Sequence, residues 1–456
     1  MSVSVEASTP PSLARRLTDA LDRRAQQART ALVPQRSPAR AVSLLGHVLA
    51  RTHARCTAED AGIAQSIATA ALEWTLLEGA ALLFGRGSII GDGRALLAPS
   101  FLPDYHGPHF QRALRRLLVP HEGPFVVHFS MTGTCPWTCR YCFASAGGPD
   151  APDVGEELLR VAKALGEQRV PIVILGGGEP LGRFERARSV IEILAPSSEV
   201  RLATSGSGLT PERARMLAAS GLKVLAISLD SHDRERVDAQ RGRGAFDTAV
   251  KALRVSADAP FDTLVTAVVS PRTFAREGAI EALLELVSRC NPRAVVNFLP
   301  EFATGRSDEG FSTPEQYARY ARALERSVRD GRYRAAVFYN AAMEQLVGCV
   351  GAGQRQLVID TRANLSACVS GASFGNLLEE PFEVVWRRML AAPSRLKRGY
   401  FCAHVNQRDE PLPTDEATML RALRAFHEAH GDALLQRVID LALSASGGST
   451  ARARSE

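Results

Sequence analysis

"PFVVHFSMTGTCPWTCRYCFASAGG", residues 124–148, begins as an apolar, β-branched run and ends in three cysteines spaced Cys-x3-Cys-x2-Cys. A short apolar run bounded by small residues reads as a buried strand. Its carboxyl end would then deliver Cys135, Cys139 and Cys142 together on one loop. Three thiols suit a soft metal or an iron–sulfur cluster, and they are one short of the four protein ligands that structural zinc takes.

Five further runs have the same texture: "VPIVILGGG" at 170–178, "EVRLATSGS" at 199–207, "KVLAISLDS" at 223–231, "FDTLVTAVVS" at 261–270 and "AVVNFLPEF" at 294–302. Helical stretches such as "EELLRVAKALGEQ" and "FERARSVIEIL" lie between them. Alternating strands and helices imply a parallel sheet with right-handed crossovers, hence the α/β class. Six units are too few to close an eight-stranded barrel, so the expected fold is an open, partial (β/α)6 TIM barrel. In such sheets the ligand sits at the carboxyl ends of the strands. The polar and glycine-rich signals fall there: the cysteines after strand one, "GGGEP" after two, "TSGSG" after three and "SLDS" after four.

The barrel is expected over 121–330. Before it, 1–120 reads as mostly helical, with 1–10 disordered and "SIIGDGRALL" forming a hairpin around its Asp-Gly. After it, 331–412 reads as a small α+β extension, with "RQLVIDTRANLSACV" a hairpin and "PFEVVWRRMLAA" a short helix, and 413–456 as a helix and low-complexity tail.

No apolar run is long enough to span a membrane and no secretory signal pattern is present, so the expectation is a cytoplasmic protein with no membrane partner. The net charge of +6 invites a nucleic-acid reading, but the arginines are interspersed with acids and form no basic block, so no nucleic acid is expected. Eight cysteines without a secretory pattern argue against a disulfide framework. Cys56 and Cys290 read as small buried hydrophobes.

On these residues the chain resembles the radical S-adenosylmethionine (SAM) superfamily. Cys135, Cys139 and Cys142, with Tyr141 before the last, match its cysteine loop, and Gly177, Gly178, Glu179 and Pro180 match its Gly-Gly-Glu-Pro motif. The resemblance implies that the three cysteines hold a 4Fe–4S cluster whose open iron chelates SAM. One electron from a reductant such as flavodoxin or ferredoxin would then yield a 5′-deoxyadenosyl radical that abstracts hydrogen from the substrate. It also implies that Gly177, Gly178 and Glu179 receive the SAM ammonium and that Ser205 contacts its ribose. Ser228 and Asp230 resemble the strand-four motif, and Arg241 would meet the methionyl carboxylate as a bidentate guanidinium.

Cys349, Cys368 and Cys402 are similar in placement to the SPASM and twitch extensions that carry auxiliary clusters, with Ala363 where that pattern has glycine. One auxiliary cluster on those three cysteines is one reading, and ordinary structural cysteines the other. The implied substrate is a ribosomally made peptide, or alternatively a small-molecule natural product or cofactor precursor. The absence of an early strand pattern in 11–120 weakens the peptide reading, since leader-binding modules begin with strands. A non-catalytic zinc-binding scaffold is the alternative from another class.

Overall fold

The computed structural model describes residues 123–147, 153–270, 278–301, 305–307, 335–337, 356–368 and 372–391, with scattered positions between 90 and 116. Each of the six apolar runs forms a strand: β1 Val126–Thr132, β2 Ile172–Gly177, β3 Glu199–Thr204, β4 Val224–Ser228, β5 Asp262–Val269 and β6 Val295–Pro300. They pair in parallel in sequence order, with Phe129 opposite Leu175 and Leu202 opposite Leu225. The intervening helices are α1 Leu158–Glu167, α2 Phe184–Leu194, α3 Pro211–Ala219, α4 Arg234–Arg241, α5 Ala245–Ala257 and α6 Ala279–Cys290.

Strand alternation decides which side chains meet these helices. Val127, Phe129 and Met131 of β1 share one buried cluster with Leu175 of β2, Leu202 of β3 and the inner faces of the helices. Burying each such side chain is worth about 1.5–3 kcal/mol. The opposite set of strand residues faces away from that cluster. Val224, Ala226, Leu264 and Val295 make a small second cluster there, and Arg201 is ion-paired to Glu199 at 2.7 Å, both almost wholly buried.

Two findings extend the expected six-stranded barrel. A seventh strand, β7 Ala335–Val337, pairs in parallel with β6. At the other edge, β8 Gln356–Ile359 pairs in parallel with β1, Gln356 opposite Val126. β9 Asn364–Ser366 and β10 Ser373–Asn376 follow in antiparallel order. The hairpin read from "RQLVIDTRANLSACV" therefore forms, and it continues the barrel sheet. Leu357, Ile359 and Leu365, with Phe382, Val385 and Trp386 of α7 Phe382–Ala391, join the same core cluster as the barrel helices. Among the described residues the sheet has ten strands in an open order, with β10 and β7 at its edges. Ala363, in the turn between β8 and β9, is fully buried at φ +65°, a conformation that favours glycine.

The Asp-Gly hairpin is present as a two-residue antiparallel pair, Ile90–Gly91 with Leu96–Leu97. The expected helices of 11–80 and 413–445 and the disordered ends lie outside the described residues.

Candidate active site

The parallel sheet carries its polar strand ends to one edge, and the cysteine loop leaves β1 there. The β1–β2 register shifts between Ser130 and Thr132, the kind of irregularity that turns a chain out of its ladder. Thr132 Oγ1 donates to Asp153 at 2.9 Å, and Arg186 closes on Asp153 at 2.7 Å, anchoring the base of the loop. The loop itself is not a regular element, so its backbone groups need outside partners. Thr138 N donates to Arg241 O at 3.2 Å and Arg140 N to Gln240 O at 3.0 Å. Those two carbonyls are at the end of α4, where helical carbonyls lack intrahelical donors. From the other side, Arg306 donates from Nε to Cys139 O at 2.9 Å, from Nη1 to Ala146 O at 2.8 Å and from its backbone N to Cys142 O at 3.1 Å.

All three thiols are free and half-buried. Burial pushes the Cys135 thiol up to about 11. Burial also raises Cys139, partly opposed by the Arg241 charge. Binding a metal or cluster at these thiols must therefore displace protons. Among the described residues no three His, Cys, Asp or Glu side chains converge as a single ion requires. A multi-iron cluster offers each thiolate its own iron, and three soft donors spread along one loop fit that demand.

The glycines after β2 have a structural reason. A Cβ on Gly178 would sit 2.1 Å from Thr134 O, and one on Gly177, at φ +106°, 2.7 Å from Thr132 O. The motif instead lies against the base of the cysteine loop, with Gly178 N donating to Thr132 O at 2.6 Å and Glu179 N to Thr134 O at 2.8 Å.

The Glu179 carboxylate is buried and accepts from Leu181 N at 3.0 Å, Thr204 Oγ1 at 2.6 Å, Ser205 N at 2.8 Å and Ser205 Oγ. Burial raises its pKa, and those four donors pull the other way. Four donors meet the acceptor capacity of a carboxylate, so here the side chain expected to receive an ammonium is satisfied by groups of the chain itself. Glu179 ties the end of β2 to the end of β3. Ser205, expected to contact a ribose, accepts from Trp137 Nε1 at 2.8 Å. The Trp137–Ser205–Glu179 chain thus joins the cysteine loop to both strand ends.

Arg241 also differs from expectation. Its fork lies on Asp230, at 2.6 Å from Nε and 2.9 Å from Nη2, and both groups are buried. Asp230 further accepts from Val268 N at 2.9 Å and from the Tyr141 hydroxyl, and the guanidinium lies 5.2 Å over the Tyr141 ring. Burial lowers the Arg241 pKa, but the Asp230 charge and hydrogen bond together with the nearby Tyr141 and Cys139 outweigh it and leave the group above its ordinary value. The bidentate partner foreseen as a ligand carboxylate is a carboxylate of the chain. Ser228, half-buried at the end of β4, keeps its expected position.

Cys368 follows β9 and is half-buried, while Cys349 and Cys402 lie outside the described residues. Beside Cys135 a cavity of about 340 Å³ is lined by Thr134, Pro136, Glu179, Gly182 and Arg183. The sequence reading missed Trp137, Gly305 and Arg306. For the last two the strand-end rule held the signal, since "ATGR" at 303–306 follows the sixth apolar run.

Residues 129–283 match the family model of the Radical SAM superfamily. Among relatives, mycofactocin maturase MftC of Mycolicibacterium smegmatis is 34% identical over 33% of this chain and 38% of its own length. The AdoMet-dependent heme synthase of Methanosarcina barkeri is 27% identical over 60% of this chain and 87% of its own length. The likeness to the maturase therefore spans well under half of that protein. Streptococcus suis SuiB bound to precursor peptide SuiA aligns at 15% identity and TM-score 0.48, over 64% of this chain and 72% of that one, too weak a likeness to carry an argument. Among the described residues no helix is long and apolar enough to cross a membrane.

Proposed function

We propose that Cys135, Cys139 and Cys142 hold a 4Fe–4S cluster, that SAM binds beside it at the carboxyl ends of the strands, and that the substrate is a ribosomally made peptide. The observation that carries this reading is the contact of the cysteine loop with Gly178 and Glu179, made through backbone groups that only glycine at 178 permits. When bound, the cluster would supply the electron that splits the SAM sulfonium into methionine and a 5′-deoxyadenosyl radical able to take a substrate hydrogen.

The chain's own residues set the stage. Glu179, Ser205 and Trp137 fix the loop against β2 and β3. With the Glu179 carboxylate occupied, the ammonium of SAM falls to backbone carbonyls at Gly177 and Gly178. Asp230 and Arg241 brace the loop, leaving Ser228 as the strand-four side chain that meets the ligand. Cys368, with Cys349 and Cys402, is proposed to hold one auxiliary cluster, and an acidic one-electron carrier such as flavodoxin or ferredoxin to supply the reductant.

The maturase relative favours a precursor substrate. The heme synthase relative, which aligns over more of this chain, favours a second reading, tailoring of a small molecule or cofactor precursor. The test is anaerobic reconstitution with iron and sulfide, then reduction in the presence of SAM and assay for 5′-deoxyadenosine. The wild type should form it, and the variant with Cys135, Cys139 and Cys142 all changed to Ala should not. Cleavage surviving in that variant would remove the assignment. Changing Cys349, Cys368 and Cys402 to Ala should lower bound iron by about one cluster, and an unchanged iron count would leave them structural.

A further inference from the structure

Resting on the assignment of Cys135, Cys139 and Cys142 as cluster ligands, we infer that Arg306 is a positioning residue that clamps the ligand loop by its carbonyls and keeps a cation beside the cluster. One residue reaches three carbonyls spread along the loop: Cys139 O, Cys142 O and Ala146 O. Two of the three belong to cysteines. The first half of the loop is held separately, through its N–H groups on α4. Donors and acceptors of the loop are thus satisfied by separate elements, and with the peptide planes fixed the Cα–Cβ bonds of the cysteines are fixed as well.

Gly305 makes the clamp fit. It sits at φ +62°, and a Cβ there would fall 2.3 Å from Cys142 O and 2.5 Å from the Phe143 Cα. Backbone therefore lies on backbone, and the Arg306 side chain reaches past Cys142 to Cys139 and Ala146.

The fork geometry matters because a lysine offers a point charge in place of the rigid planar donor set. Arg306 Nη2 is buried and has no hydrogen-bond partner among the described residues. A buried guanidinium nitrogen without an acceptor is costly by itself, and an anionic cluster next to it would offset that cost. Reduction adds a further negative charge to the cluster, so a fixed cation favours the reduced form.

The experiment compares full-length, anaerobically reconstituted wild type, R306K and R306Q by iron release to a chelator and by redox titration of the cluster. R306Q should release iron about tenfold faster, the loss typical of removing an outer-shell partner, and its cluster should need a lower potential for reduction. R306K should keep the potential near that of wild type yet still release iron faster, because charge remains and the fork is gone. Release rate and potential both unchanged in R306Q would overturn the proposal. If R306Q does not fold, R306K decides alone. Faster release at an unchanged apo melting temperature supports the clamp, and release at the wild-type rate overturns it. Wild-type protein that takes up no iron would instead overturn the cluster assignment on which the clamp rests.

Discussion

Gly178 shows how a single hydrogen atom in place of a side chain can govern the site. A methyl group at 178 would stand 2.1 Å from Thr134 O, a distance no side-chain rotation can relieve, because the methyl is fixed by the backbone at 178 and its partner is a backbone oxygen. G178A should therefore push the cysteine loop away from β2, breaking the bond from Glu179 N to Thr134 O. Strain of this kind costs about 1–3 kcal/mol, read by urea unfolding of the apoprotein, and iron uptake on reconstitution should fall with it. G178A with wild-type stability and iron content would show that the loop tolerates the shift. The glycines were legible in the sequence as positions of close approach. What they approach was not, since the same two residues would be needed to admit a ligand or to admit Thr132 and Thr134. Glu179 is a similar case: its strand-end position is read from the motif, while its four donors come from Leu181, Thr204 and Ser205, which only the folded chain brings to it.

At the scale of elements, the connection from β4 through α4 holds the loop by a buried ion pair and two helix-end carbonyls. Asp230 receives four hydrogen bonds, two of them from Arg241. Removing one member of a buried pair leaves the other uncompensated and costs about 3–5 kcal/mol. D230N should lose stability on that scale, while D230N combined with R241M should lose less than the sum of the two single variants. Additive losses in that cycle would mean that the two side chains do not share one interaction. The strands and helices of this region were readable because each apolar run has the length and β-branched content of a buried parallel strand, and each intervening stretch the period of a helix. The pairing of Arg241 with Asp230 was not readable. Both residues stood at the right end of the sheet, and a guanidinium suits any carboxylate there, whether it belongs to a ligand or to the chain. Arg306 escaped for a different reason. It follows the sixth strand as a lone Gly-Arg, and only the fold brings it back over a loop that begins more than 160 residues earlier.

For the molecule as a whole, the barrel's first strand is flanked on both sides. β2 lies on one and β8 on the other, so 356–359 covers what would otherwise be an exposed parallel edge. The hairpin was legible from its turn residues, but a turn does not say which edge the strand before it will join. His128 of β1 marks this junction. It is hydrogen-bonded to the Gln356 side chain, yet burial dominates and lowers its pKa to about 4. The unfolded chain takes up the proton near the ordinary value of 6.5 and the folded chain only near 4. Between these limits the unfolded state binds more protons, so stability falls as pH falls. The full gap corresponds to about 3 kcal/mol. His109, beside Arg112, is lowered to about 4 as well, chiefly by burial, so His128 carries only part of the acid sensitivity. H128N should therefore flatten the dependence of unfolding free energy on pH between 6.5 and 4 without abolishing it. Urea unfolding of both proteins at several pH values across that window checks this. Curves that run parallel would mean that His128 titrates alike in the folded and unfolded chains, and that the β1–β8 junction does not exclude the proton.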